Sequence, residues 1–133
     1  METSHRYLNK LYAWVILDNH VHLLIKTSIG RELYKFINAF EGKTAKELNK
    51  LDDRIGRKVW YQYWDRCVRS EKDFYTKLNY IHHNPVKHKS AKRMEDYKFS
   101  SYYNYLKKFG KKWLADCSTK YPIIDFTPKN DDF

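Results

Sequence analysis

Two short runs near the N-terminus carry the clearest hydrophobic pattern in the chain. Leu11 to Leu17 is almost wholly apolar, His20 to Ile25 alternates, and the turn-tolerant pair Asp18-Asn19 lies between them. The pattern predicts a β-hairpin with strands near 11–17 and 20–26. A two-residue connection sets Leu17 opposite His20, Ile16 opposite Val21 and Val15 opposite His22. Alternation gathers Tyr12, Trp14, Ile16, Val21, Leu23 and Ile25 on one face, expected to be the core face, with His20 and His22 on the other. From Gly30 to about Asn49 the periodicity is helical: Leu33, Phe36, Ile37 and Phe40 form a stripe, with Lys35, Lys43, Lys46 and Lys50 largely off it. Asp52 to Lys58 reads as a polar loop around Gly56. The aromatic, alternating stretch Val59 to Val68 reads as a third strand, which makes core or stacking residues of Tyr61 and Tyr63 and a small buried residue of Cys67.

Ser70-Glu71-Lys72-Asp73 has the form of a capping box and starts a helix with Phe74, Leu78 and Ile81 as its buried stripe. Pro85 disfavours helical geometry at Asn84, so this helix is expected to end about there. Residues 86–98 read as loop. Phe99 to Phe109 reads as another helix, with Ser100 or Ser101 near its start. The stretch after Tyr121-Pro122, 122–133, reads as a strap ending in an acidic tip.

Composition narrows the class. A chain of 133 residues suits a single domain, 1–133, and 42% hydrophobic residues suit a folded one. The longest apolar run, Ala13 to Leu17, is far short of a membrane span, and the opening Met-Glu-Thr-Ser-His lacks the form of a secretory signal. Cys67 and Cys117 are too few and too isolated for a disulfide framework, which fits a reducing cytoplasm. A formal charge of +10, a pI near 9.5 and 17% aromatic residues suit a polyanion with bases that stack. The alternative is a solvated basic surface over an aromatic core. Between Val86 and Trp113, nine Lys or Arg stand against two acids with seven aromatics interleaved, the densest such segment in the chain.

Two constellations could carry chemistry. His20 and His22, two apart on a strand, point the same way and can approach one ion; the residues alone leave open that they are ordinary half-exposed strand positions. Tyr80 and Asn84, four apart on a helix, can present a phenol and an amide oxygen to one site, or be an exposed tyrosine and a capping asparagine. No P-loop or Gly-rich nucleotide fingerprint is present.

Together these constellations resemble a known family. "DNHVHLLI" at 18–25 resembles the HUH motif (histidine, hydrophobic residue, histidine) of single-tyrosine HUH transposases. "LNYIHHNPVK" at 78–87 resembles the tyrosine-helix motif of REP-associated tyrosine transposases, within the insertion-sequence transposases that nick single-stranded DNA. "VWYQYWDRCVRSEKDF" at 59–74 and "MEDYKFSSYYNYL" at 94–106 extend the match, so that it runs from about Ala13 to Leu106. The resemblance implies a reduced ferredoxin-like α/β fold, an antiparallel sheet with helices mainly on one face. It makes Tyr80 the nucleophile and His20, His22 and Asn84 the ligands of a divalent metal, Mg²⁺ or Mn²⁺. Attack by Tyr80 would give a 5′-phosphotyrosyl link and a free 3′-OH at hairpin-forming single-stranded DNA, with no nucleotide cofactor. Lys87, His88, Lys89, Lys92 and Arg93 are the expected DNA contacts.

Two departures from the family stand out. Relatives begin with a strand and a helix ahead of the hairpin, whereas about ten residues precede Leu11 here. That implies a missing N-terminal strand, with a sheet edge open to a second copy in a homodimer, or a decayed copy. The segment after Val86, "KHKSAKR" at 87–93, also lacks the Ala-Gly pair that relatives often show and contains more positive charge. The rival reading is a catalytically inactive nucleic-acid-binding protein on the same scaffold. A third is a structural zinc site joining His20 and His22 to a cysteine.

Overall fold

A computed structural model describes residues 10–27, 30–60 and 66–123. Among these the architecture is mixed α and β. Two antiparallel strands, β1 (Lys10–Ile16) and β2 (Val21–Lys26), precede three helices, α1 (Gly30–Leu51), α2 (Glu71–Lys87) and α3 (Tyr102–Lys120), with a 3-10 turn at Met94–Asp96. Two compact units divide the chain, Met1–Leu11 with Ile25–Cys67 and Tyr12–Leu24 with Val68–Phe133. No helix among the described residues is long and apolar enough to cross a membrane.

In the first unit α1 buries Phe36 completely, and the aromatic run continues through Phe40 to Trp60, at 5.9 and 5.7 Å between ring centres. Trp60 Nε1 donates to Thr44 Oγ1 at 2.8 Å, so the indole is held at both its apolar body and its polar tip. The loop after α1 is closed by Asn49, whose amide donates to the Arg57 carbonyl and accepts from Arg57 Nε. The expected third strand does not appear at the described ends of Val59–Val68, and residues 61–65 lie outside the description. Cys67 is exposed rather than buried.

In the second unit the hairpin has the expected register: Leu17 N donates to His20 O at 2.8 Å across the two-residue connection. Its core face is the opposite of the one expected. Ala13, Val15, Leu17 and Leu24 are buried, whereas Ile16 is 42% exposed and Trp14 half-buried. Alternation defines two faces, and bulk decides between them. A side bearing Ala13 and Val15 lets Leu78 and Ile81 of α2 approach closely, and these residues form one cluster with Leu17 and Leu24. In this register, residues 13, 15 and 17 share their side with 24, 22 and 20. The two histidines therefore continue the buried face.

The other edge of β1 pairs with a segment expected to be helical. Val15 bridges Ser100, Ile16 N donates to Phe99 O, and Ser101 N donates to Trp14 O. The helix follows, from Tyr102, and runs past Phe109 to Lys120 across a break at Gly110, whose φ of 87° is a conformation glycine adopts freely. It resumes because Leu114 and Cys117 continue the buried side, while Asn79 Nδ2 donates to the Cys117 and Tyr121 carbonyls. Residues from 124 onward, including most of the expected strap, lie outside the description.

His82 ties these pieces together. Only 2% exposed, its Nε2 shares a 2.8 Å hydrogen bond with Ser101 Oγ, which also accepts from Trp14 N at 3.0 Å. Burial holds its imidazole well below the usual value, at about 4. The unfolded chain, titrating near 6.5, thus takes up a proton that the folded chain refuses. Stability present above that value is lost as pH falls toward 4, by about 3 kcal/mol over the whole window. His82→Phe keeps a ring against Tyr102 and Tyr105 and removes the titration. Urea unfolding from neutral to acid pH should show the wild type losing stability more steeply than the variant; parallel curves would contradict this account.

Candidate functional site

The site is built on one stripe of α2. Ser70 starts the helix by accepting from Asp73 N at 3.0 Å, as the capping pattern predicts. The helix does not stop at Asn84. It runs through Pro85 to Lys87, with His88 as its C-cap. Two features offset the proline. Its ring is fully buried, and the helix closes just beyond it with Ser90 N donating to Pro85 O at 2.8 Å and Lys89 N to Val86 O at 3.1 Å. These are the paired bonds of a Schellman closure, and Lys89 occupies its left-handed position at φ 59°. The added turn puts Tyr80, Asn84, Lys87 and His88 at i, i+4, i+7 and i+8, one face of one helix.

The histidine side of the hairpin meets this face. The His22 and Tyr80 rings stand edge-on at 5.7 Å, His20 and His22 at 4.9 Å, and His20 and His88 at 5.1 Å. Tyr80 is 4% exposed and Asn84 is wholly buried. Lys87 Nζ donates to Tyr80 Oη at 3.3 Å. Asn19 Oδ1 stands 2.7 Å from His20 Nδ1. An amide oxygen only accepts, so in the neutral imidazole Nδ1 carries the proton and Nε2 the lone pair.

The remaining polar atoms test whether a cation suits this place. Both amide atoms of Asn84 and Nε2 of His88 are buried and hydrogen-bond to nothing among the described residues; Nε2 of His20 and of His22 are buried in the same cluster. Leaving an amide so placed unmet costs about 1–3 kcal/mol, and a cation is one partner that meets its oxygen. Imidazole nitrogens with an amide oxygen are a donor set that suits Mn²⁺ and accepts Mg²⁺. No three His, Cys, Asp or Glu side chains among the described residues form a group able to hold an ion by themselves. The residues fit a divalent ion on these terms.

The other expected residues lie apart. Lys89 and Lys92 are exposed, and Arg93 is engaged with Asp96 at 3.1 Å and Glu95 at 3.5 Å. Cys117 is buried and donates to Asn79 Oδ1 at 3.6 Å. Tyr61 and Tyr63 lie outside the description. Sequence reasoning missed the contacts of Lys87 with Tyr80 and of His88 with His20. Their helical spacing from Tyr80 was the available signal, and Pro85 masked it.

Comparison with known proteins adds a family. Residues 1–84 match the family described as "Transposase IS200 like". A REP-associated tyrosine transposase of Escherichia coli K12 is 27% identical over 96 residues, 71% of this chain and 54% of that protein. A Haemophilus influenzae protein assigned to the same group is 27% identical over 116 residues, 80% of this chain and 66% of its own length. The match thus spans less than two thirds of either relative. No solved structure matches the chain.

The closure of α2 generates a stability prediction. A residue with a Cβ in the left-handed position is strained where glycine is not. Lys89→Gly should stabilise the protein by about 0.5–1 kcal/mol, read as a higher urea midpoint at unchanged slope. A lower midpoint would show that Lys89 is held there by something its side chain supplies.

Proposed function

Because the chain belongs to the IS200-like transposase family, a family of tyrosine transposases, we propose that it cleaves and rejoins single-stranded DNA at hairpin-forming sequences. Tyr80 is the nucleophile, and His20, His22 and Asn84 hold Mg²⁺ or Mn²⁺. When bound, the ion supplies charge stabilisation at the scissile phosphate. The chain's own residues do the rest. Tyr80 is held on a packed helix, so its oxygen has a defined direction. The Asn19 hydrogen bond keeps the His20 Nε2 lone pair available. Attack forms a 5′-phosphotyrosyl link and frees a 3′-OH, storing the phosphodiester energy for rejoining without ATP. Lys89 and Lys92, exposed beyond the helix end, and Arg93 follow the DNA backbone, with His88 and Lys87 nearer the scissile phosphate. The hairpin and its helices correspond on this reading to part of a reduced ferredoxin-like domain.

The observation that carries the reading is the fully buried Asn84 amide, unmet at both atoms, one turn from Tyr80 on the face that meets two histidines. A second reading, a nucleic-acid-binding protein without catalysis, draws on the 4% exposure of Tyr80, whose oxygen must be uncovered before it reaches a phosphate.

One experiment separates the two. Mixed with a single-stranded hairpin oligonucleotide and Mn²⁺ or Mg²⁺, the protein should give a covalent protein–DNA band on a denaturing gel. Tyr80→Phe and EDTA should each abolish it, and His22→Ala should reduce it by at least about a hundredfold. Salt-sensitive binding with no adduct under either ion favours the binding protein.

A further inference from the structure

The turn of α2 beyond Pro85 brings a cation to the tyrosine. Lys87 lies two turns after Tyr80 on the same stripe, with Nζ 3.3 Å from the phenol oxygen and 5.3 Å from the ring centre. A lysine that serves only to meet a DNA backbone keeps its ammonium in water. Here the side chain is half-buried and the head group reaches back along its own helix to Tyr80. An ammonium has hydrogens and no lone pair, so in this contact Lys87 donates and the phenol oxygen accepts. The phenol's own hydrogen is thereby turned away from Lys87, and the rotation of the hydroxyl is restricted before any substrate arrives.

We propose that Lys87 is a catalytic residue: its ammonium orients the Tyr80 oxygen and stabilises the negative charge that passes through it during attack on a phosphodiester. This rests on Tyr80 being the nucleophile. In the step, the Tyr80 Oη–phosphorus bond forms as the phosphorus–O3′ bond breaks. The bonding pair passes to O3′, which takes a proton from water, and the phenol proton leaves to water. Lys87 keeps all its hydrogens and changes only what it faces. Before attack it donates to the phenol oxygen, and afterwards the phosphate oxygens of the phosphotyrosine lie within its reach. The same charge therefore serves cleavage and the reverse reaction that rejoins the strand. A charge-assisted donor preset on a reacting oxygen needs little rearrangement as the charge develops, which is the condition under which such donors contribute most.

Lys87→Met keeps the apolar stem and removes the charge; Lys87→Arg restores a charge and a donor. At saturating hairpin oligonucleotide and Mn²⁺, adduct formation in a single turnover should slow by roughly a hundredfold in the methionine variant and recover most of that loss in the arginine variant. Oligonucleotide affinity, read by fluorescence anisotropy, should change far less than this rate in both, because Lys87 is one DNA contact among several. Without DNA or metal, the ring Cζ resonance of Tyr80 in tyrosine-labelled protein, assigned by its loss in Tyr80→Phe, should move in Lys87→Met and return toward its original position in Lys87→Arg. Weakened affinity with an unchanged rate at saturation would make Lys87 a backbone contact and overturn the proposal. So would a Tyr80 resonance identical in all three proteins. If wild type itself forms no adduct, the reading of Tyr80 as nucleophile fails first. If wild type and Lys87→Met form it equally fast, only the role of Lys87 fails.

Discussion

The site depends on one helix passing through a proline. Pro85 removes a backbone donor from α2 and crowds the preceding turn, which in a solvent-exposed helix interior costs about 3 kcal/mol or more. Here it falls in the last turn, so few residues beyond it depend on the helix continuing. The ring is wholly buried, and its carbonyl accepts from both Ser90 and Ala91. Burial and closure together let the helix continue to Lys87. Without that last turn, the stripe would end at Asn84. With it, an ammonium and a further imidazole join them. Backbone hydrogen bonds of one helix and its closure hold all four positions of the stripe in fixed order along one face.

The second constraint is the size of side chains on the hairpin. Ala13 and Val15 are small enough for α2 to lie close against β1, and the histidines share their side. A hairpin packed through Trp14 and Ile16 instead would turn His20 and His22 away from Tyr80. His82 fixes the arrangement from the other direction. It falls midway between Tyr80 and Asn84 in sequence, on the opposite side of the helix, and locks onto Ser101 beside Trp14. A single buried imidazole thus ties α2, the start of α3 and β1 together, so a displacement of any of them moves Tyr80.

Much of this was legible in the residues. The hairpin register follows from a two-residue connection, and the Ser70 cap and the Leu78–Ile81 stripe follow from spacing. What was not legible involved choices that local pattern does not make. Alternation in β1 and β2 gives two faces of comparable hydrophobicity, and only packing against a helix distant in sequence selects the smaller one. The propensity of proline and of the residue before it argues for an end at Asn84, a rule that tertiary burial overrides here. Phe99 to Ser101 reads as helix because the apolar spacing of the following turns begins there, yet its backbone groups pair with β1 first. The position of Lys89 shows the same limit: nothing in a lysine announces a left-handed backbone.

The unmet groups of the site bear on why it exists. Two amide atoms of Asn84 and one imidazole nitrogen of His88 are buried with no hydrogen-bond partner among the described residues. At about 1–3 kcal/mol for each buried polar group left unmet, they weigh heavily against the 5–15 kcal/mol or so that holds a typical domain together. A fold selected only to present a basic surface gains nothing from such an interior. Leucine or methionine at position 84 would fill the space without loss to any lysine outside it. The arrangement makes physical sense when something that enters the cluster, and binds the folded chain alone, returns that stability through mass action. On the proposed reading, a divalent ion would meet the oxygen of Asn84 and the lone pairs of the imidazoles, though not the amide hydrogens. A phosphate would offer those hydrogens acceptor oxygens. The polar groups that cost stability would then match an ion and a phosphodiester together, beside the tyrosine that Lys87 contacts.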